Sequence, residues 1–125
     1  MNLNQVTLPT TDLERAIKFY EKLGLKLIVK AGPDYARFEC PEGDSTFSLH
    51  RVDEISNGEG AWIYFETPYL DERVQSLCAI GILFEELPVD KPWLWREARL
   101  KDPDGNMIII YFAGNNRKDP PWRLP

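Results

Sequence analysis

Apolar and polar residues alternate at the start of the chain. In NLNQVTL (2–8), Val6 and Leu8 point one way while Gln5 and Thr7 point the other, the period-two pattern of a strand. The period then lengthens. Between Leu13 and Leu23, the residues Ala16, Phe19, Tyr20 and Leu23 recur at helical spacing and make one apolar stripe. Thr11 and Asp12 offer an N-cap, Glu14 stands three residues after Thr11 as in a capping box, and Gly24 is placed to end the helix. Strands are predicted at 25–30, 34–40 and 45–51, with Pro41 and Gly43 marking the turn before the last. The polar stretch VDEISNGEG (52–60) reads as a linker. The same order then recurs: a strand AWIYFE (61–66), a helix 69–80 stopped by Gly81, and strands at 82–85, 95–101 and 106–112, with ELPVDKPWL (86–94) as a loop.

The recurrence extends to residue identity. Ala36-Arg37-Phe38-Glu39-Cys40-Pro41-Glu42-Gly43 runs in constant register with Ala98-Arg99-Leu100-Lys101-Asp102-Pro103-Asp104-Gly105, and Leu23-Gly24-Leu25 matches Ile80-Gly81-Ile82. Matching helix stops and Pro-x-Gly turns define an internal repeat. One βαβββ unit alone leaves a sheet face open, so two must share a structure. The predicted organisation is one α+β domain over 1–112, with module one at 1–51, the linker at 52–60 and module two at 61–112. The tail AGNNRKDPPWRLP (113–125) lies outside the repeat, and Pro120-Pro121 rule out a continuing helix or central strand. An exposed indole is costly, so Trp122 favours a tail that docks on the domain or on a second chain.

Composition narrows the function classes. With 125 residues, 43% hydrophobic and 28% charged, the chain has the balance of a globular domain. A net charge of −5 argues against a nucleic-acid footprint and against an anionic membrane surface. No apolar run reaches membrane-spanning length and the start lacks a signal pattern, so the expected location is cytoplasmic. Cys40 and Cys78 form no CxxC pair and read as two reduced thiols.

Three stretches, QVTLPTTDLERAIKFYEKLGL (5–25), ECPEGDSTFSLH (39–50) and LKDPDGNMIIIYF (100–112), resemble the vicinal-oxygen-chelate superfamily of glyoxalase I, extradiol dioxygenases, and fosfomycin and bleomycin resistance proteins. The resemblance covers nearly everything up to residue 112. It implies two βαβββ modules forming a curved mixed sheet around an open cavity, and a homodimer.

Strand alternation assigns residues to that cavity. Val6, Leu8, Phe38, Phe47, Leu49, Ile63, Phe65, Leu100, Ile108 and Ile110 are apolar and in register, and should pack beneath the helices. The opposite parity holds Gln5, Thr7, Tyr35, Arg37, Ser48, His50, Trp62, Tyr64, Glu97, Arg99, Ile109 and Tyr111, a polar and aromatic set suited to a small-molecule pocket. The expected ligand contacts are Gln5, Thr7, Arg37, Ser48, His50, Trp62, Tyr64, Trp95, Arg99 and Tyr111, with the loop bearing Trp93 and Trp95 as a lid or wall. Glu97 and Arg99 read either as an ion pair across the sheet or as an acid/base group beside an arginine fork for a carboxylate or phosphate.

In metal-using relatives the ligands lie on the first and last strand of each module. Carried over, those positions hold Gln5, Ser48, Trp62 and Ile109. Only Gln5 is a fair ligand and two of the four cannot ligate, so no metal or other cofactor is expected. The alternative is a displaced zinc, nickel, iron or manganese site at Gln5, His50 and Glu97, with His50 and Glu97 as the acid/base pair. Two functions follow: a metal-free binding protein for a small aromatic or anionic molecule, resembling the bleomycin-resistance branch, or a metal-dependent lyase, isomerase or dioxygenase resembling glyoxalase I.

Overall fold

The computed structural model describes residues 1–56, 58 and 60–125. The chain divides into two units. The first comprises Met1–Gly58 with Asp102–Asn106, and the second Glu59–Lys101 with Met107–Pro125.

The first unit runs β1 (Gln5–Thr10), α1 (Leu13–Lys22), β2 (Lys26–Ala31), β3 (Tyr35–Glu39) and β4 (Thr46–Arg51). Its sheet is mixed, in the order β1-β4-β3-β2, with β1 parallel to β4 and the other pairs antiparallel. Strand β1 continues through Pro9, two residues past the predicted end at Leu8. Proline is tolerated because β1 is an edge strand, where one row of amides needs no partner. The α1 cap is Asp12, whose carboxylate accepts from the Arg15 amide at 3.1 Å. The box expected of Thr11 and Glu14 does not form; Glu14 turns to Lys30 and Thr11 to Asp104. At the other end Gly24 takes φ 101°, and the Gly24 and Leu25 amides donate to the Glu21 and Tyr20 carbonyls at 3.0 and 3.1 Å.

Tyr20 anchors this unit's core. Its ring lies 4.5 Å from Phe47 and 6.1 Å from Phe38, centroid to centroid, all three on the apolar parity of the pattern or the helix stripe. Its hydroxyl donates to Asp102 at 2.6 Å. Asp102 is 4% exposed and also receives the Asp104 amide at 2.9 Å and the Asn106 amide and side-chain NH2, both at 2.8 Å. The DPDGN turn is therefore wound around a buried carboxylate, which the short-range Asp-to-amide bonds of Asx turns provide.

The second unit repeats the plan: β5 (Trp62–Glu66), α2 (Leu70–Ala79), β6 (Glu86–Asp90), β7 (Arg96–Lys101) and β8 (Met107–Phe112). Its sheet order, β5-β8-β7-β6, is the same permutation, again with one parallel pair. Gly81, at φ 95°, closes α2 with the same pair of bonds, Gly81 to Cys78 and Ile82 to Leu77. Helix α2 packs on β7 and β8, and Leu70, Val74 and Leu77 of the helix are buried, as are Leu100, Ile108 and Ile110 of the strands. The expected strand at 82–85 is displaced: the strand is Glu86–Asp90, inside the stretch read as loop. The stretch holds Pro88, but β6 is an edge strand and its pairing to β7 is irregular between Glu86 and Val89, which leaves the proline without a ladder to break.

The expected linker (52–60) forms no helix or strand among its described residues; Asn57 and Glu59 lie outside them. The tail opens with a short 3-10 helix, Gly114–Arg117. The Ala113 and Gly114 amides donate to Glu66 at 2.7 and 3.0 Å, and Arg117 pairs with the same carboxylate at 3.6 Å. The tail is thus tied to the second unit through Glu66, whereas Trp122 remains 55% exposed.

Candidate functional site

Each unit carries half of the residue set expected to contact a ligand. On the first sheet, cross-strand register places Thr7 beside Ser48, Ser48 beside Arg37, and Tyr35 beside His50. Cross-strand partners project to the same face. There the Tyr35 hydroxyl and the buried Ser48 hydroxyl are 2.9 Å apart, and the Arg37 Nε–H donates to the Tyr35 oxygen at 2.9 Å. The Ser48 hydrogen bond, opposed by desolvation and reinforced by Arg37, holds the Tyr35 phenol below its ordinary value. Gln5 accepts from the Thr46 hydroxyl at 2.7 Å. His50 is exposed near the end of β4.

On the second sheet the corresponding face is aromatic. Trp95 stacks on Tyr111 at 4.8 Å, and Tyr64 stands edge-on to both rings at 5.9 and 5.3 Å. Trp62 lies under the Arg99 guanidinium, 5.3 Å from its carbon. Glu97 is 1% exposed, accepts from the Trp93 indole at 2.9 Å, and pairs with Arg99 at 3.1 Å. Arg99 also approaches Glu86 at 3.9 Å. Of the two readings of Glu97 and Arg99, the geometry is that of an ion pair, with Trp93 as an added donor. Desolvation first, then the Glu97 charge, raises the Tyr64 phenol; desolvation and then Glu66 raise Tyr111. The Trp95 indole donates to the Asn116 carbonyl at 3.3 Å, so the tail's first turn helps fix this ring.

The family's metal positions fit poorly. Trp62 and Ile109 offer no donor, and Ile109 is fully buried in an apolar cluster with Tyr111 and Ala113. The Ser48 hydroxyl is engaged with Tyr35. Of the displaced set, Gln5 registers with Thr46 and His50 with Pro9, four residues along β4. At about 3.3 Å per residue that is roughly 13 Å, wide for two side chains standing perpendicular to a sheet to share one ion. Among the described residues, no three histidine, cysteine or carboxylate side chains gather into a group able to hold a metal.

Tyr35 was placed on this face by alternation but not among the expected contacts. The repeat register would have singled it out, because Tyr35 sits where Glu97 sits in the other half and is the neighbour of Arg37 as Glu97 is of Arg99. The Glu66 anchor and the approach of Glu86 to Arg99 carried no sequence signal, since both depend on tertiary placement of edge and tail.

The profile of the Glyoxalase/Bleomycin resistance protein/Dioxygenase superfamily matches residues 2–110. The chain belongs to that superfamily. A trivalent organoarsenical cleaving enzyme from Bacillus sp. (strain MD1) is 31% identical over 125 residues, spanning 90% of this chain and 74% of the relative. A glyoxalase/bleomycin resistance protein/dioxygenase from Nocardioides superposes with a TM-score of 0.79 at 26% identity, over 100% of this chain and 90% of that one. A bleomycin-binding protein solved with bleomycin superposes with a TM-score of 0.73 at 18% identity, over 90% and 98% of the two chains, a likeness of fold alone.

Proposed function

We propose that this protein binds a small aromatic or anionic molecule on its polar and aromatic sheet faces, without the metal that many of its relatives use. The observation that carries the reading is the aromatic face of the second sheet. Trp62 and Tyr64 stay 42% and 40% exposed there, beside Trp95 and Tyr111, although exposed aromatic surface is unfavourable in water. Binding a flat apolar molecule would recover that cost. The Glu97 charge is already balanced by Arg99, which supports a binding role for this face over proton transfer at Glu97. A homodimer and a cytoplasmic location belong to the same proposal; no described helix is long and apolar enough to cross a membrane.

Titration with 1-naphthol, read by tryptophan fluorescence, tests it. Saturable quenching is expected, and Trp62→Ala should weaken affinity about three- to tenfold, the equivalent of roughly 0.5–1.5 kcal/mol for one aromatic contact. Linear quenching that is identical in W62A would sink the reading, as would stoichiometric divalent metal in protein purified without chelator.

The arsenical-cleaving relative supports a second reading, an enzyme. Trivalent arsenic is a soft, thiophilic centre that a pair of thiolates would hold. Here each unit carries one cysteine, and burial pushes the Cys40 thiol up, away from the thiolate. Release of inorganic arsenic from a trivalent organoarsenical by the purified protein would establish the enzyme over the binding protein.

A further inference from the structure

We propose that Arg37, Tyr35 and Ser48 form an oxyanion subsite on the first sheet, which takes the carboxylate or phosphate group of a small ligand. The inference rests on the small-molecule reading above and adds the chemistry of one recognised group. It comes from comparing the two halves in register. In the second, Arg99 pairs with Glu97, two residues back on the same strand, at 3.1 Å. In the first, the equivalent pair is Arg37 and Tyr35. A neutral phenol stands where the second half has a carboxylate, so the guanidinium has no counterion on its own strand.

Arg37 is half-buried, and among the described residues no carboxylate lies within 4.0 Å of it. The nearest acid on its own strand and parity, Glu39, pairs with Lys26 at 3.6 Å. The guanidinium donates to Tyr35 through Nε, which leaves its two terminal nitrogens as a fork with no hydrogen-bond partner among the described residues. A half-buried charge without a counterion is unfavourable, and a bidentate oxyanion matches that fork. The hydroxyls of Tyr35 and Ser48, 2.9 Å apart, share one hydrogen bond, which leaves the proton of the accepting hydroxyl as a further donor on the same face. That proton can rotate toward an anion, and the Nε bond to the Tyr35 oxygen polarises the Tyr35 O–H further.

The test is a titration of the 15N-labelled full chain with inorganic phosphate and, separately, acetate, read by NMR. Saturable shifts are expected at the Arg37 Nε–H and at the Tyr35 and Ser48 amides, and the tighter of the two ions names the group. Arg37→Gln should weaken binding by at least about tenfold, as expected for loss of a charged bidentate contact. Arg51→Gln should leave it unchanged, because Arg51 already pairs with Asp34 and Asp53 at 2.8 and 3.3 Å. Wild-type affinity in R37Q, or shifts that rise linearly with salt and appear equally at exposed arginines, would overturn the proposal. If R37Q loses its dispersed spectrum, Tyr35→Phe decides: a severalfold weaker affinity upholds the subsite and an unchanged one overturns it. Naphthol quenching reads the second sheet, so loss of anion binding with retained quenching defeats this inference alone, and the reverse defeats the aromatic reading alone.

Discussion

Replacing Tyr20 by phenylalanine measures what its buried hydroxyl adds to the hold on the DPDGN turn, which Thr11, Arg15 and the Pro9 carbonyl also contact. The ring contacts with Phe38 and Phe47 survive in Y20F; only the 2.6 Å bond to Asp102 is lost. A hydrogen bond to a charged group contributes about 1.5–3 kcal/mol. Asp102 keeps three other donors, so the lower part of that range, about 1.5–2 kcal/mol, is expected. With a urea m-value of roughly 1.5 kcal/mol/M, the midpoint should fall by about 1 M. The pH dependence gives a second reading. Burial, and next the Asp102 charge, push the Tyr20 phenol far above its unfolded value of about 10. A raised phenol binds its proton more tightly in the folded chain. Its contribution is fully present below pH ~10 and is lost as pH rises beyond it, when the unfolded phenol ionises first. Wild-type stability should therefore fall above pH ~10, and Y20F should fall less steeply. A midpoint shift under about 0.3 M, or equal alkaline slopes, would refute the account of Asp102 as a carboxylate that depends on this hydroxyl.

Two further outcomes follow from single residues. Gly24→Ala forces a side chain into φ 101° with nothing within 4 Å of the new carbon, so the cost is backbone strain alone, about 1–2 kcal/mol by chemical denaturation; a neutral effect would show that the α1 stop is not strained. Glu66→Ala removes the acceptor of the Ala113 and Gly114 amides, and hydrogen exchange at those two amides should rise by about tenfold or more while the β8 amides change little; unchanged exchange would place the tail's anchor elsewhere.

The doubled plan was legible because it is written twice. Periodicity placed both helices, and the shared Gly stops and Pro-x-Gly turns set the register that the strand pairs follow. What misled was local chemistry at edges. The first strand was expected to end at Leu8 but runs on through Pro9 to Thr10, and the strand expected at 82–85 lies at Glu86–Asp90 across Pro88; both are edge strands, where a proline is tolerated. Glu14 fitted a capping box, but Lys30 on the neighbouring strand β2 competes for its carboxylate. Alternation put Thr7, Arg37 and Ser48 on one face, as the strand register does, since a strand's side chains must alternate. It could not say which partners would meet, because Trp93 reaching Glu97 depends on how the loop before β7 folds back.

The halves share backbone register but differ in charge balance, and that difference is where function is most readable. Gln5, Tyr35, Ser48 and His50 correspond in register to Trp62, Glu97, Ile109 and Tyr111. At each pair the first half holds a hydrogen-bonding group, and at three of the four the second holds an aromatic or aliphatic one. Packing cannot demand both, because each sheet buries the same parity beneath its helix with the same kinds of residue. The residues of the other parity diverge instead: Ile109 and Tyr111 close into a buried apolar cluster in the second half, where the first half has the buried, hydrogen-bonded Ser48 and the exposed His50. The exception, Tyr35 against Glu97, reverses the polarity: it closes the charge on Arg99 and leaves it open on Arg37. A neutral partner at that register position is what the proposed anion subsite on Arg37 requires, since the ligand would then supply the counterion.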